Sequence, residues 1–244
     1  MLAAYFDGLY QRTMREAYSC AEASIRSSLN GGGTCLDCGA NDGYLYHKFG
    51  LSDASPEVEY RGIEWDKESV LKAQAQGINV IQGDLNQLLP YEDGTFDCVF
   101  ALSLVEHLLM PCRFMSEAHR TLKDGGSLVL LTPNISTLFT AALILMGKMP
   151  SSGPHPDSDR LIHSEELFTV GQGSEHIDTE VDTPVHRHLV VFSFLVMKRY
   201  LNQLGFSEVV GRGFGLYPFP NFAQPLLEKV DPYHCHQMVF VAKK

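Results

Sequence analysis

Apolar and polar positions follow two rhythms along this chain. Over 9–29 the apolar groups Tyr10, Met14, Tyr18, Ala21, Ile25 and Leu29 recur at steps of three and four, which predicts an amphipathic helix. The glycines of Asn30–Gly33 end it. Short strand-like runs follow at Thr34–Cys38, Tyr60–Trp65, Asn79–Gln82, Phe96–Leu102 and Ser127–Thr132, with helical or loop stretches between them. Asp66 is placed to cap a helix over Lys67–Gln76 that stops at Gly77. Pro111 suits a first helical position, before Phe114, Met115, Ala118 and Leu122 on one face. Lys123–Gly126, "KDGG", reads as the turn into the fifth strand.

The pattern changes after residue 134. Residues 135–188 hold an apolar segment, the polar stretch "SSGPHPDSDR" and several histidines, and read as an insertion. Ser193 can then cap a helix running to Leu204, with Gly205 as its stop. Two last strands are expected at Phe206–Gly211 and Cys235–Ala242. Strands alternating with helices imply a mostly parallel sheet with right-handed crossovers covering both faces. The expected organisation is one domain: an N-terminal helical segment (1–33), a core (34–134), an insertion (135–188), and a last helix with two strands (189–244).

Composition narrows the function. The 244 residues carry a net charge of -10, a poor basis for gripping a phosphate backbone, so no nucleic-acid partner is expected. The six cysteines form no regular disulfide framework and the N-terminus has no signal-peptide pattern, so a reducing cytoplasm is expected. The longest apolar run, Leu138–Gly147, falls short of the roughly 20 residues of a membrane span. It suits a core helix, a lid, an acceptor wall or a membrane-surface patch, without stable insertion.

The candidate chemistry begins at "TCLDCGANDGYL", where a strand gives way to a helix. Ligands of open parallel sheets sit beyond the carboxyl ends of the strands. A dinucleotide site shows G-x-G-x-x-G; here the pattern is D-x-G-x-x-x-G, with Asn41 in place of a middle glycine. Asp37 is a poor neighbour for pyrophosphate and a good one for an ammonium or a sulfonium-bearing amino acid. Glu64 ends the second strand, where a carboxylate can accept both hydroxyls of a ribose. Asp84 ends the third, placed to accept from an adenine amino group while the Leu85 amide faces a ring nitrogen. Amino acid, ribose and base together outline S-adenosylmethionine. The alternatives are local: Asp37 and Asp84 as turn residues, Glu64 as a solvated strand end.

At these residues the chain resembles the class I S-adenosylmethionine-dependent methyltransferases, through "LDCGANDG", "GIEWD", "IQGDL", "FDCVFALSLVEHL", "LKDGG" and "LLTPN". Individual stretches resemble the methionine-biosynthesis protein W and ubiquinone-type branches. The resemblance implies a Rossmann-like fold, a mostly parallel seven-stranded sheet with helices on both faces and an antiparallel last strand. It implies that the loop Asp37, Gly39, Ala40, Asn41 and Gly43 holds the methionyl part, with Glu64 and Trp65 at the ribose. Asp84 and Leu85 would hold adenine, and the backbone around Ala101 and Leu102 would close the site. The activity implied is methyl transfer to oxygen or nitrogen of a small molecule, leaving S-adenosylhomocysteine. The W branch implies an alternative, a cofactor-binding partner of an acyltransferase with little activity of its own.

Glu106 and His107 follow the fourth strand, which in this fold faces the acceptor. His107 is the first candidate for a base, with His186 or His188 behind it; the bland reading is a helix-start acid and packed imidazoles. Histidine also recurs at 155, 163, 176, 234 and 236. The two H-x-H pairs have a spacing that can bind metal, but surface or packed histidine is the favoured reading and no metal is assigned. Cys35 and Cys38 form one C-x-x-C without a second pair, so neither zinc nor redox use is assigned.

Overall fold

The computed structural model describes residues 2–29, 31–51, 58–150, 152–158 and 187–244. Its strands are β1 (Gly33–Cys38), β2 (Val58–Glu64), β3 (Val80–Gln82), β4 (Phe96–Leu102), β5 (Leu122–Pro133), β6 (Glu208–Phe214) and β7 (Gln237–Lys243). They form one seven-stranded sheet in the order β3-β2-β1-β4-β5-β7-β6. β1 to β5 pair in parallel, and β7 runs antiparallel to both β5 and β6. The expected topology is therefore the one that forms.

Among the described residues the helices are α1 (Leu2–Ser28), α2 (Tyr44–Lys48), α3 (Lys67–Ala75), α4 (Pro111–Thr121), α5 (Leu138–Leu145), α6 (Phe194–Gln203) and α7 (Gln224–Val230). Two caps read from sequence are present: Asp66 accepts from the Ser69 amide, and Ser193 from the Val196 amide. No α-helix lies between β3 and β4; Gly83–Thr95 is a turn-rich connection in which Asp84 accepts from the Asn86 amide.

Central strands covered on both faces are apolar throughout, and Cys35, Leu36, Asp37 and Cys38 are all buried. Leu36, Cys38, Val99 and Phe240 pack with α4 and α6 on one face. Cys35, Phe100 and Val129 pack with α1 and α3 on the other. The C-x-x-C therefore divides between opposite faces, as a period of two requires. All six cysteines are free.

Two local expectations are corrected and one open reading is narrowed. The centre of the α1 contact face is Leu9, Thr13, Ala17, Ala21 and Ile25, whereas Tyr10, Met14 and Tyr18 lie half-buried beside it. Thr13 tolerates burial because its hydroxyl donates to Leu9 O and accepts from the Tyr217 hydroxyl. "KDGG" is not a turn ahead of β5 but a bulge within it: Phe96 pairs with Leu122 and Cys98 with Ser127, so six residues of β5 span what three span on β4. Lys123 anchors the bulge on Asp97 at 2.7 Å. Finally, α5 is not a plain core helix, since Thr140 and Leu143 are buried but Leu138, Ile144 and Leu145 are exposed.

Candidate functional site

The loop after β1 bends through three alternate residues of positive φ: Gly39 (80°), Asn41 (49°) and Gly43 (90°). Asn41 takes the backbone region a glycine would take, which asparagine does more readily than most residues. Its side-chain oxygen accepts from the Asp42 amide at 2.7 Å. The positive φ favours glycine on either side, and an added side chain would also push on neighbouring side chains. A Cβ on Gly43 would meet Ile78 Cδ1, and one on Gly39 would lie 3.0 Å from Leu104 Cδ1. Ala40 is buried under the loop, whose Gly39 and Ala40 amides donate to Ile63 O.

Glu64 ties the tip of β2 to this loop. Its Oε2 accepts from the Asn41 amide and its Oε1 from the Asp66 amide, each at 2.9 Å. A carboxylate has about four lone-pair sites, so two acceptor positions are left. Trp65, beside it, is 69% exposed. At the end of β3, Asp84 Oδ1 accepts from both the amide and the side chain of Asn86. The Asn86 amide holds the Asp84 carboxyl below the usual range. Asp84 Oδ1 therefore shapes the turn, while Leu85 turns inward and is buried.

Asp37 sits deeper than an open strand-tip acid. It is fully buried, and its Oδ2 accepts from the Tyr60 hydroxyl at 2.8 Å. Its Oδ1 has no hydrogen-bond partner among the described residues. Burial pushes its carboxyl up to about 7, against the Tyr60 hydrogen bond; the Glu64 charge adds a smaller push upward. Tyr60 gave no signal in sequence, because its role depends on strand pairing that sets it beside the β1 tip.

A second group lies past the end of β4. Ala101 and Leu102 extend one step beyond the β1–β4 pairing, and Ser103 then adopts φ 54°. The chain passes into a 3₁₀ turn at Val105–His107. Glu106 is buried, and its Oε2 accepts from the Thr132 hydroxyl at 2.9 Å. Burial pushes its carboxyl up to about 7. The His107 ring stands 5.1 Å from that of His188, 81 residues away in sequence. Burial lowers His188 to about 4, so its imidazole is neutral at pH 7. Three of the four sequence candidates for proton transfer thus converge; His186 lies outside the described residues, as do His163 and His176.

Tyr10 and Tyr18 of α1 flank this group. The Tyr18 hydroxyl is 3.5 Å from Ser103 Oγ, and burial, with Glu106 as a lesser influence, raises both phenols. Their spacing read as part of a core stripe. His236 is buried, stacks on Tyr217 at 4.9 Å and leaves Nδ1 without a partner among the described residues.

Comparison with known proteins agrees with the fold. Residues 36–130 match the methyltransferase domain family. A Mycolicibacterium smegmatis protein named as an S-adenosylmethionine-dependent methyltransferase is 30% identical over 130 residues, 52% of this chain and 43% of that one. Sarcosine/dimethylglycine N-methyltransferase of Halorhodospira halochloris is 28% identical over 115 residues, 46% of this chain and 41% of that one. The chain spans less than half the length of the curated relatives it matches. Among solved structures, an S-adenosylmethionine-dependent methyltransferase of Thermotoga maritima superposes with a TM-score of 0.54 at 15% identity, covering 99% of each chain. A Haloferax volcanii protein solved with the Trm112 methyltransferase activator gives 0.56 at 17% identity, covering 99% of this chain and 93% of that one. Residues 36–130 are thus similar to the methyltransferase domain family, and the fold is that of solved S-adenosylmethionine-dependent methyltransferases.

Proposed function

We propose that this protein transfers a methyl group from S-adenosylmethionine to an oxygen or nitrogen of a small molecule. The observation that carries the reading is the pairing of the positive-φ loop and Glu64 with the Glu106–His107–His188 cluster past the end of β4. The residues fit the cofactor. Asp37 Oδ1 is a buried acceptor with no partner, suited to an ammonium group, and Glu64 keeps two lone-pair positions for two ribose hydroxyls. Asp84 and Leu85 would take the adenine, Trp65 would cover it, and Gly39, Ala40, Asn41 and Gly43 would line the methionyl chain. The backbone of Ala101 and Leu102 would close the site. When bound, the cofactor supplies a methyl group already activated on a positively charged sulfur.

The protein's own work is then alignment, exclusion of water and removal of the acceptor's proton. Glu106, His107 and His188 are the groups we assign to that proton. Residues 135–188, through α5 and Ser152–Ser158, would cover the acceptor and set its size. The acid balance of the chain and the small amine acceptor named for the Halorhodospira relative favour a small molecule over nucleic acid. The six free thiols suit a cytoplasmic setting. The reading as an acyltransferase partner has no support in the names of the relatives described above.

Incubation with S-adenosylmethionine and pools of small hydroxy and amino compounds should yield S-adenosylhomocysteine above the acceptor-free blank. Absence of product from every pool with saturating cofactor contradicts the reading. The loop gives a separate test. Asn41→Gly should leave cofactor affinity within about threefold, because glycine accepts this φ freely. Asn41→Val should weaken it by about tenfold or more, since a β-branched residue resists φ 49°. Calorimetric titration of both variants measures the difference.

A further inference from the structure

We propose that Glu106, His107 and His188 form a binding site for one divalent transition-metal ion of the Zn²⁺ class, beside the acceptor. One potential ligand atom from each residue lies within 4.8 Å of the other two. Ligands of a tetrahedral zinc stand about 3.3 Å apart, so closing on an ion needs shifts of about 1 Å, within reach of side-chain rotation. Two imidazoles and one carboxylate form the donor set of catalytic zinc sites, which keep a position open for water or substrate.

The surroundings of the donors carry the argument beyond proximity. A carbonyl oxygen only accepts, so a ring nitrogen facing one must carry the hydrogen. His107 Nδ1 faces Arg187 O at 3.1 Å, and His188 Nδ1 faces Ser152 O at 2.5 Å. Both imidazoles therefore have their lone pair on Nε2. Metal-ligating histidines are held in this way, one nitrogen donating to a carbonyl while the other coordinates. The Thr132 hydroxyl fixes the Glu106 carboxylate in the same manner.

The two chain segments are also pinned together. The Leu189 amide donates to Glu106 O at 2.6 Å, and the His188 amide donates to His155 Nδ1 at 3.2 Å. Among the described residues no lysine or arginine offsets the buried Glu106. A buried carboxylate without a cation is costly, and a divalent ion supplies the missing charge. Such an ion would hold the acceptor's heteroatom and make its proton easier to lose, so that with metal bound the three side chains would act through the ion rather than take the proton themselves; this consequence rests on the methyltransferase reading, whereas the ion site itself does not.

The test is a titration of chelator-treated full-length protein with Co²⁺, followed by visible absorption, and then displacement by Zn²⁺. One equivalent per chain is expected, with the bands of a four- or five-coordinate ion. Glu106→Gln and His188→Ala should each weaken binding by about tenfold or more, and Glu106→Asp should restore part of it. His234→Ala should change nothing, since that imidazole pairs with Asp231 outside the cluster. Circular dichroism confirms folding of each variant. A folded protein that takes up no stoichiometric Co²⁺, or variants that bind as tightly as His234→Ala, would overturn the site. Cofactor titration of the same samples separates the two readings. Metal-free protein that binds cofactor and forms product overturns the metal's role alone; untreated protein that binds Co²⁺ but no cofactor overturns the methyltransferase reading alone.

Discussion

Replacing Asp37 by asparagine should weaken S-adenosylmethionine binding by about 30-fold or more at pH 8, the scale for removing one partner of a buried charge pair. The same change should make the cofactor-free protein more stable at that pH. Both effects follow from one buried carboxylate held at about 7 by desolvation, with one oxygen on Tyr60 and the other without a partner. A carboxyl raised in the folded state binds its proton more tightly there than in the unfolded chain. Its contribution to stability is fully present below the unfolded value of 3.8 and is lost as pH rises through about 7. Asparagine removes that loss.

Binding runs the other way, because a cationic ligand favours the ionised acid. Affinity of the natural protein should rise by up to about tenfold per pH unit until the carboxyl ionises near 7, and then level off. Binding below that pH should release a proton, seen as a dependence of the calorimetric heat on the buffer. Asp37→Asn should show neither the slope nor the proton. A natural protein whose affinity is flat from pH 5 to 8 would detach Asp37 from the cofactor.

Glu106→Gln should lower turnover by about 100-fold or more, the scale of an acid–base group, while leaving cofactor affinity within about threefold. Glutamine keeps the volume and an oxygen for the Thr132 hydroxyl, so the fold has little reason to change. What is lost is the charge beside His107 and His188. Single-turnover assays with saturating cofactor separate this from a binding defect. A variant with full turnover would return Glu106 to the role of a structural acid at a helix start.

The sheet and the glycine loop were legible because their signals are local. Continuous apolar runs mark strands covered on both faces, and Asp37, Gly39 and Gly43 mark the bend where β1 ends. The φ of Asn41 was foreseeable from its side chain. What sequence could not give depends on contacts across the chain. The burial of Asp37 is set by Tyr60 on the neighbouring strand. The bulge in β5 is held by an ion pair with β4. The meeting of Glu106 and His107 with His188 is closed by carbonyls of Ser152 and Arg187, which no side-chain pattern announces. α1 shows a subtler limit: Tyr10 and Tyr18 keep helical spacing with the core positions, yet stand one step round the helix toward the site.

The central claim is that the strand-tip acids hold a nucleoside attached to an amino acid. A crystal structure with S-adenosylhomocysteine tests it most directly, through the distances from Glu64 to the ribose. Both hydroxyls are expected within hydrogen-bonding distance of that carboxylate, about 2.5–3.0 Å, with Glu64 still holding the Asn41 and Asp66 amides. A bound ligand whose ribose lies elsewhere, with Glu64 engaged only by those two amides, would contradict it.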